Sequence, residues 1–372
     1  MYKSLVKIAI TGGPCGGKTS GLARVSRELS DKGYEVIVVP EAATMIKNSG
    51  TKIGDDFASV LYFEKMVMNL QLFNERMYER YAEKLYDRNV VLLCDRGVVD
   101  CKAYVKENEY KDLVESEGYS EVEIRDSYNA VFHLKTVADG KEEFYTCENN
   151  LARTETPEEA RKSDIKTVNA WVGHPHFRII DNSTDFDGKM SRLMCEIYSF
   201  LGVPVPLEIE KKYLISMPDL EFILKECKAV KSEIVQVYLL PSKDNEEVRI
   251  RQRGSEGSFA YYLTRKIKLS DISRHEVEEK ITKDKYLSLL MEADTSKNVI
   301  RKTRYCFVYE NQYFELDVYP FEKEKAILEI ELTNENQEIA IPPFISVIAD
   351  VTKNDKFKNA SIAENKDVFK MI

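Results

Sequence analysis

The sequence predicts two domains of different class: an α/β domain built on a parallel sheet, then a mainly antiparallel β domain of α+β type. Three observations carry the prediction. Apolar strand-like runs alternate with helical stretches through the first half. The texture breaks at Gly202-Val-Pro-Val-Pro-Leu207, where two prolines close to a glycine favour extended chain. Beyond that point the sequence alternates at period two, the spacing of half-buried strands. The boundary is placed near residue 206, giving domains 1–206 and 207–372, each long enough for its own core.

In the first half, Val6 to Thr11 is a short β-rich run that ends at a cluster of glycines. Lys18 to Leu29 has helical spacing and stops at Asp31-Lys32-Gly33, and Glu35 to Pro40 is the next apolar run. A strand, a short helical crossover and a second strand imply parallel pairing. Residues 57–88 contain no Gly or Pro and read as one long helix. Val90-Val-Leu-Leu-Cys94 is a continuous apolar strand, which must be covered on both faces. A charged segment, Glu107 to Arg125, precedes a strand at Ala130 to Leu134; a helix at Glu158 to Val172, a strand at Phe177 to Asp181 and a helix at Asp187 to Leu201 follow. In the second half, turns at Pro241–Asn245 and Arg253–Gly257 separate strands, with helices expected at Met217–Glu226 and Lys283–Leu290.

Composition bounds the function. Hydrophobic residues at 43% and charged residues at 31% describe an ordinary globular chain. A formal charge of −9 argues against a general duplex-DNA binder, so no nucleic-acid partner is expected, although one local basic cavity is compatible with it. The 7 cysteines are scattered with no Cys-x-x-Cys pair, which argues against a disulfide framework or a zinc site and for a reducing, cytoplasmic setting. With 4 histidines, a His-rich centre is not expected, and any metal should be hard and oxygen-bound. No apolar run is long enough to span a membrane, and Lys3 and Lys7 interrupt the first apolar stretch where a signal peptide would need continuity.

Gly12-Gly-Pro-Cys-Gly-Gly-Lys18-Thr19 fits G-x-x-x-x-G-K-[ST], after a strand and opening a helix. Glycines let backbone N–H groups converge on phosphate oxygens, and the helix N-terminus adds a fixed positive end. Lys18 is placed to reach β- and γ-phosphates, and the Thr19 hydroxyl to take a Mg²⁺ position. The candidate nucleotide-binding residues are Gly12, Gly13, Pro14, Cys15, Gly16, Gly17, Lys18, Thr19 and Ser20. The competing reading is a glycine-rich turn that binds nothing.

Asp95 ends the strand Val90–Cys94 and faces the ligand crevice of an open α/β sheet; it suits a Mg²⁺ position or proton acceptance from a substrate hydroxyl, against the plainer reading of an ion pair with Arg96. Glu41 stands at the equivalent strand end, with the same two readings. Arg153 and Arg161 flank a segment placed to neutralise a transferring phosphoryl group, against the plainer reading of a solvated helix face. Glu41, Asp95, Arg153 and Arg161 are the catalytic candidates. His174-Pro-His176 and Asp181-Asn182 are weaker candidates for base contact, and Trp171 reads most simply as core. These motifs resemble small P-loop domains related to nucleoside and nucleotide kinases, including the nicotinamide-ribose kinase type. The resemblance spans nearly all of residues 5–200.

In the second half, charges recur at alternate positions and so on one face of each strand: Glu208, Glu210 and Lys212; Arg249, Arg251 and Arg253; Lys266 and Lys268; Glu276 and Glu278; Lys302 and Arg304; Glu315 and Asp317; Glu329 and Glu331. One such strand is an ordinary solvated face. Repeated strand after strand, the pattern fits a closed or strongly curved sheet with a polar interior. Basic strands would hold a polyphosphate, and paired carboxylates would hold Mg²⁺ or Mn²⁺ against it. The spacing resembles the CYTH or triphosphate-tunnel-metalloenzyme family, from Glu208-x-Glu-x-Lys212 to Lys356 and Asn359. That resemblance implies an eight-stranded antiparallel tunnel acting on inorganic or organic triphosphates. It implies phosphate contacts from Lys212, Arg249, Arg251, Lys266, Lys302, Arg304 and Lys356. Metal candidates are Glu208, Glu210, Glu315, Asp317, Glu329 and Glu331, besides Thr19 and Asp95 in the first domain.

The fusion itself resembles the TRPL translocation defect protein 14 family. That implies GTP binding, phosphatidic acid as an alternative occupant of the basic cavity, peripheral membrane contact and a role in membrane traffic. The leading expectation is a Mg²⁺-dependent GTP- or ATP-binding protein with a polyphosphate- or phospholipid-binding second domain; triphosphate hydrolysis in the tunnel is the second reading and a nucleoside-like kinase the third. No Asn-Lys-x-Asp motif is present to assign the base.

Overall fold

The computed structural model describes residues 5–54, 56–85, 87–140, 156–203, 209–241, 246–268, 274–332, 337–365 and 369. The chain divides into two compact units, Met1–Glu196 and Ile197–Ile372.

In the first unit, β1 (Leu5–Gly12), β2 (Glu35–Val39), β3 (Val90–Asp95), β4 (Ala130–Leu134) and β5 (Phe177–Ile180) form one sheet in the order β2-β3-β1-β4-β5. Every pairing is parallel. β3 is buried from Val90 to Cys94 and β4 along its whole length, which their unbroken apolar runs require. The register sets Ile10 beside Asp95 and Gly12 beside Leu134, so the C-terminal ends of β1, β3 and β4 lie side by side, the edge at which open α/β sheets bind ligands.

The helices follow from local chemistry. In α1 (Lys18–Asp31), Leu22, Val25 and Leu29 recur at helical spacing and are buried. The long helix α3 (Phe57–Ala82) starts at Asp56, whose carboxylate accepts from the Ser59 N–H. It ends at Ala82, short of the residue 88 expected from composition. In α6 (Pro157–Trp171), Thr156 and Glu159 cap one another and Pro157 occupies the first turn, where a missing N–H costs nothing. Between β2 and α3 lies α2 (Ala42–Asn48), and the charged segment before β4 folds as α4 (Glu107–Ser116) and α5 (Glu121–Arg125), the latter opened by a Ser120–Glu123 capping box. These short helices carry too few apolar positions to show a period. The helix α7 (Phe186–Leu201) follows, and the division between the two units falls within it.

The second unit is one nine-stranded sheet in the order β10-β9-β8-β7-β11-β12-β13-β6-β14, every pairing antiparallel. The strands are β6 (Ile209–Ser216), β7 (Val230–Leu239), β8 (Glu246–Ser255), β9 (Ser258–Lys268), β10 (Arg274–Ile281), β11 (Ile300–Tyr309), β12 (Gln312–Val318), β13 (Lys325–Leu332) and β14 (Val347–Asp350). The turn expected over Arg253–Gly257 is shorter: β8 runs on to Ser255, and Glu256 and Gly257, both at positive φ, turn the hairpin alone. Glu310 and Asn311 do the same between β11 and β12. The helix expected from Met217 begins later, as α8 (Leu220–Glu226), because Asp219 accepts from the N–H groups of Glu221 and Phe222 and fixes the start there.

The sheet has two unlike faces. On one, Phe307, Phe314, Leu316, Leu328 and Ile330 pack with Ile223 of α8. On the same face, Val248, Ile250 and Leu263 pack with Tyr286 and Leu289 of α9 (Lys283–Leu289). The opposite face carries the alternating charges and ends in an apolar plug, where Leu214, Ile300 and Ile327 meet Phe357, Ile362 and Ala363 of the 3₁₀ turn Asp355–Phe357 and α10 (Asn359–Glu364). Phe314→Ala should therefore cost about 3–5 kcal/mol. Urea unfolding followed by circular dichroism checks this, and Phe314→Leu should lose less.

Candidate functional site

The glycine-rich turn between β1 and α1 is shaped by close backbone approach. A Cβ on Gly12 would lie 2.2 Å from the Leu134 carbonyl oxygen, so the loop can press on β4 only with hydrogen there. Gly17 reaches φ 89 to turn the chain into α1, a region that side chains rarely adopt. Lys18 folds over the loop, its Nζ donating to the carbonyls of Gly12 and Gly13 at 2.9 Å each. Thr19 and Ser20 stand exposed at the helix start. A loop of backbone amides at a helix N-terminus, overlaid by an ammonium group, can receive a phosphate chain.

A second layer pins this loop. Asp164 of α6 accepts through Oδ1 from the Gly13 N–H at 2.9 Å and the Thr136 N–H at 3.1 Å, and meets His133 Nε2 at 3.0 Å. Its other oxygen lies 3.4 Å from Lys135 Nζ. Burial alone would raise this carboxyl, but His133, Lys135 and the amides outweigh it and hold it well below the usual carboxylate range. The Thr136 hydroxyl donates to the Pro14 carbonyl at 2.5 Å.

The ends of β2 and β3 bring Glu41, Asp95 and Arg96 together. Arg96, at φ 66, donates to Glu41 at 2.7 Å and to Asp100 at 3.1 Å. Asp100 also accepts from the Thr11 hydroxyl at 2.8 and 2.7 Å and from the Trp171 indole N–H at 2.5 Å. Trp171 is thus a fully buried core residue that also orients a carboxylate. Burial and the neighbouring Glu41 push Asp95 up, while burial and Arg96 push Lys18 down. Arg161 donates to the Ala138 carbonyl at 2.8 Å, and Arg153 lies outside the described residues. His174 packs in the core against the Tyr128 carbonyl at 3.0 Å, and Asn182 donates to the carbonyls of Thr136 and Asp139.

In the second unit the charges of one sheet face meet each other. Lys212 Nζ lies 2.7 Å from Glu329 and 3.1 Å from Glu210. Arg304 reaches Asp317 through both Nε and Nη2 at 2.7 Å, Glu329 at 2.8 Å, and Glu315. Lys302 pairs with Asp317. Burial would lower Lys212 and raise Glu329; the ion pairs reverse both, leaving the lysine raised and the glutamate lowered. On β8, Arg249, Arg251 and Arg253 occupy alternate positions; Arg251 pairs with Glu278 at 2.8 Å and lies over the Tyr262 ring at 5.4 Å. Thr264 donates to the same Glu278 at 2.9 Å. Lys266 is half-buried opposite Glu247, whereas Glu210, Glu331 and Lys356 are exposed. Glu208 lies outside the described residues, as do the side chains of Lys268 and Glu276. Among the described residues, no three His, Cys, Asp or Glu side chains gather so as to hold a metal ion.

Comparison with known proteins finds two kinds of likeness. An inorganic triphosphatase of Acetivibrio thermocellus is 32% identical over 159 residues, which make up 42% of this chain and 94% of that protein. The chain belongs to the inorganic triphosphatase family. A family model described as an AAA domain matches residues 7–189, the stretch that holds the glycine-rich loop. Among solved structures, the inorganic triphosphatase NE1496 is 27% identical, covering 42% of this chain and 95% of its own, with a TM-score of 0.31. The PH1819 protein of Pyrococcus horikoshii is 23% identical over 35% of this chain and 81% of its own, with a TM-score of 0.26. No helix among the described residues is long and apolar enough to cross a membrane.

Asp164, His133, Asp100 and Thr11 were not among the sequence candidates. Asp164 and His133 are 31 residues apart and meet only when α6 folds across the end of β4, so no local pattern marks them. Asp164→Asn should cost about 1–3 kcal/mol at pH 7. Because the folded carboxyl is depressed, its contribution is complete above the unfolded value near about pH 4 and is lost as pH falls through the folded value. The gap between wild type and Asp164→Asn should be constant from neutrality to about pH 5 and close below about pH 4. Urea midpoints across that range check it.

Proposed function

We propose that this chain binds a nucleoside triphosphate with Mg²⁺ at Gly12–Thr19 and hydrolyses a triphosphate on the charged face of its antiparallel sheet. The observation that carries the reading is that Lys212, Lys302, Arg253, Arg304, Asp317 and Glu329 are all buried on a sheet face where an ordinary sheet would be solvated. Such a face is costly to build and is supported by kinship to a triphosphatase. In this reading the sheet curves into a tunnel, residues 1–206 and 207–372 are the two functional domains, and β8 presents Arg249 and Arg251 to phosphate oxygens.

The donor chemistry fits a hard divalent cation. Glu210 and Glu331 stand opposed in register on the exposed part of the face, with Glu315 and Glu329 opposed on the neighbouring strands. Glu210 and Glu331 would hold it, joined by Glu315 and Glu329 where phosphate oxygens take their places on Arg304 and Lys212. When bound, such an ion supplies charge neutralisation and activation of water at the scissile phosphoanhydride. The chain's own part is to grip the phosphates. Arginine forks on β8 and β11 match phosphate oxygens in pairs, and Lys212 and Lys302 add point charges. Burial keeps water from screening them.

In the first unit, Lys18 would leave the Gly12 and Gly13 carbonyls for the β- and γ-phosphates, and Thr19 would take a Mg²⁺ position. Asp95 and Glu41 stand where they would orient that ion's water shell. Phosphate release from tripolyphosphate with Mg²⁺ or Mn²⁺ should fall by at least about 100-fold in Glu329→Gln. Lys18→Ala should leave that release intact and abolish GTP and ATP binding in titration calorimetry. Equal turnover in Glu329→Gln would defeat the hydrolytic reading, and unchanged nucleotide affinity in Lys18→Ala the other half.

A further inference from the structure

We propose that Asp317 is a positioning residue, which aims Arg304 and Lys302 at the phosphate chain, rather than a ligand of the divalent cation. The inference rests on the triphosphatase reading of this face and assigns a role within it. Asp317 alternates with Glu315 on β12, and sequence alone makes the two equivalent metal candidates. Their settings differ. The Asp317 side chain is 0% exposed and that of Glu315 13%.

Both Asp317 oxygens are committed. Oδ1 accepts from Arg304 Nε and Oδ2 from Arg304 Nη2, each at 2.7 Å, so a two-pronged grip fixes the guanidinium plane. Oδ2 also holds Lys302. The residue opposite Asp317 on β13 is Ile327, part of the apolar plug with Leu214, Ile300 and the α10 residues. Asp317 therefore lies at the apolar end of the charged row, whereas Glu210 and Glu331 lie at the exposed end. A cation reaching Asp317 would have to break a paired guanidinium–carboxylate contact and leave Arg304 and Lys302 short of a counter-charge in a buried site.

Held as it is, Arg304 reaches Glu315 through Nη1, and Glu329 through the same Nη2 that serves Asp317. A triphosphate displacing the outer carboxylates would find the fork already oriented by the inner one. Asp317 thus acts on the substrate only through Arg304 and Lys302.

The test separates metal affinity from phosphate affinity in the full chain. Mn²⁺ binding without substrate, followed by electron paramagnetic resonance, should change less than twofold in Asp317→Asn. Tripolyphosphate binding by calorimetry at saturating Mn²⁺ should weaken at least tenfold, with KM rising by more than kcat falls. Arg304→Lys keeps the charge but loses the fork, and should reproduce the split even if Asp317→Asn fails to fold. A tenfold loss of Mn²⁺ affinity in Asp317→Asn with tripolyphosphate affinity unchanged overturns the proposal, as does a wild type that does not bind tripolyphosphate. A wild type that binds tripolyphosphate without turnover defeats only the hydrolytic reading.

Discussion

A charge taken out of water must meet an opposite charge or be neutralised, because its effective desolvation penalty is several kcal/mol. The second unit is organised around that requirement. Lys212, Lys302 and Arg304 share Asp317, Glu315 and Glu329 on one sheet face, and each cation has a carboxylate on a neighbouring strand. Without this pairing the strands could not bring so many ionic groups together under a cover of α10 and the plug residues. The opposite face is apolar where Phe314, Leu316 and Leu328 pack, and carries the load of stability there.

A second ionic cluster sits on the same face at β8. Arg249, Arg251 and Arg253 alternate there, and Arg251 pairs with Glu278 of β10 across β9. Desolvation would raise the Glu278 carboxyl, but Arg251, Arg249 and Arg253, with the Thr264 hydroxyl, hold it below the usual carboxylate range. The rule that governs the Asp317 cluster thus holds here too: arginines gathered on one strand are matched by a carboxylate from another.

Much of this could be read from the chain before folding. Unbroken apolar runs gave β3 and β4 because both faces are buried, and the period-two charges gave β8, β11, β12 and β13 because one face is not. The glycine-rich loop was legible because its backbone geometry demands particular residues. What was not legible depends on long-range meeting. Asp100 takes three donors from β1, the β3–α4 turn and α6, and Asp164 joins α6 to the loop across 151 positions. Nor does alternation distinguish Asp317 from Glu315, since depth along a strand is set by the plug that the end of the chain supplies.

The contact between Gly12 and the Leu134 carbonyl has a bearing on engineering. The turn is fitted to the strand beside it: Gly16 too would collide with that oxygen, at 2.5 Å, if it carried a Cβ. Residues 12–19 transplanted into a foreign scaffold would therefore bring their glycines without the surface they were cut to match. What has to travel as a piece is the turn together with β4 and the Asp164 clasp.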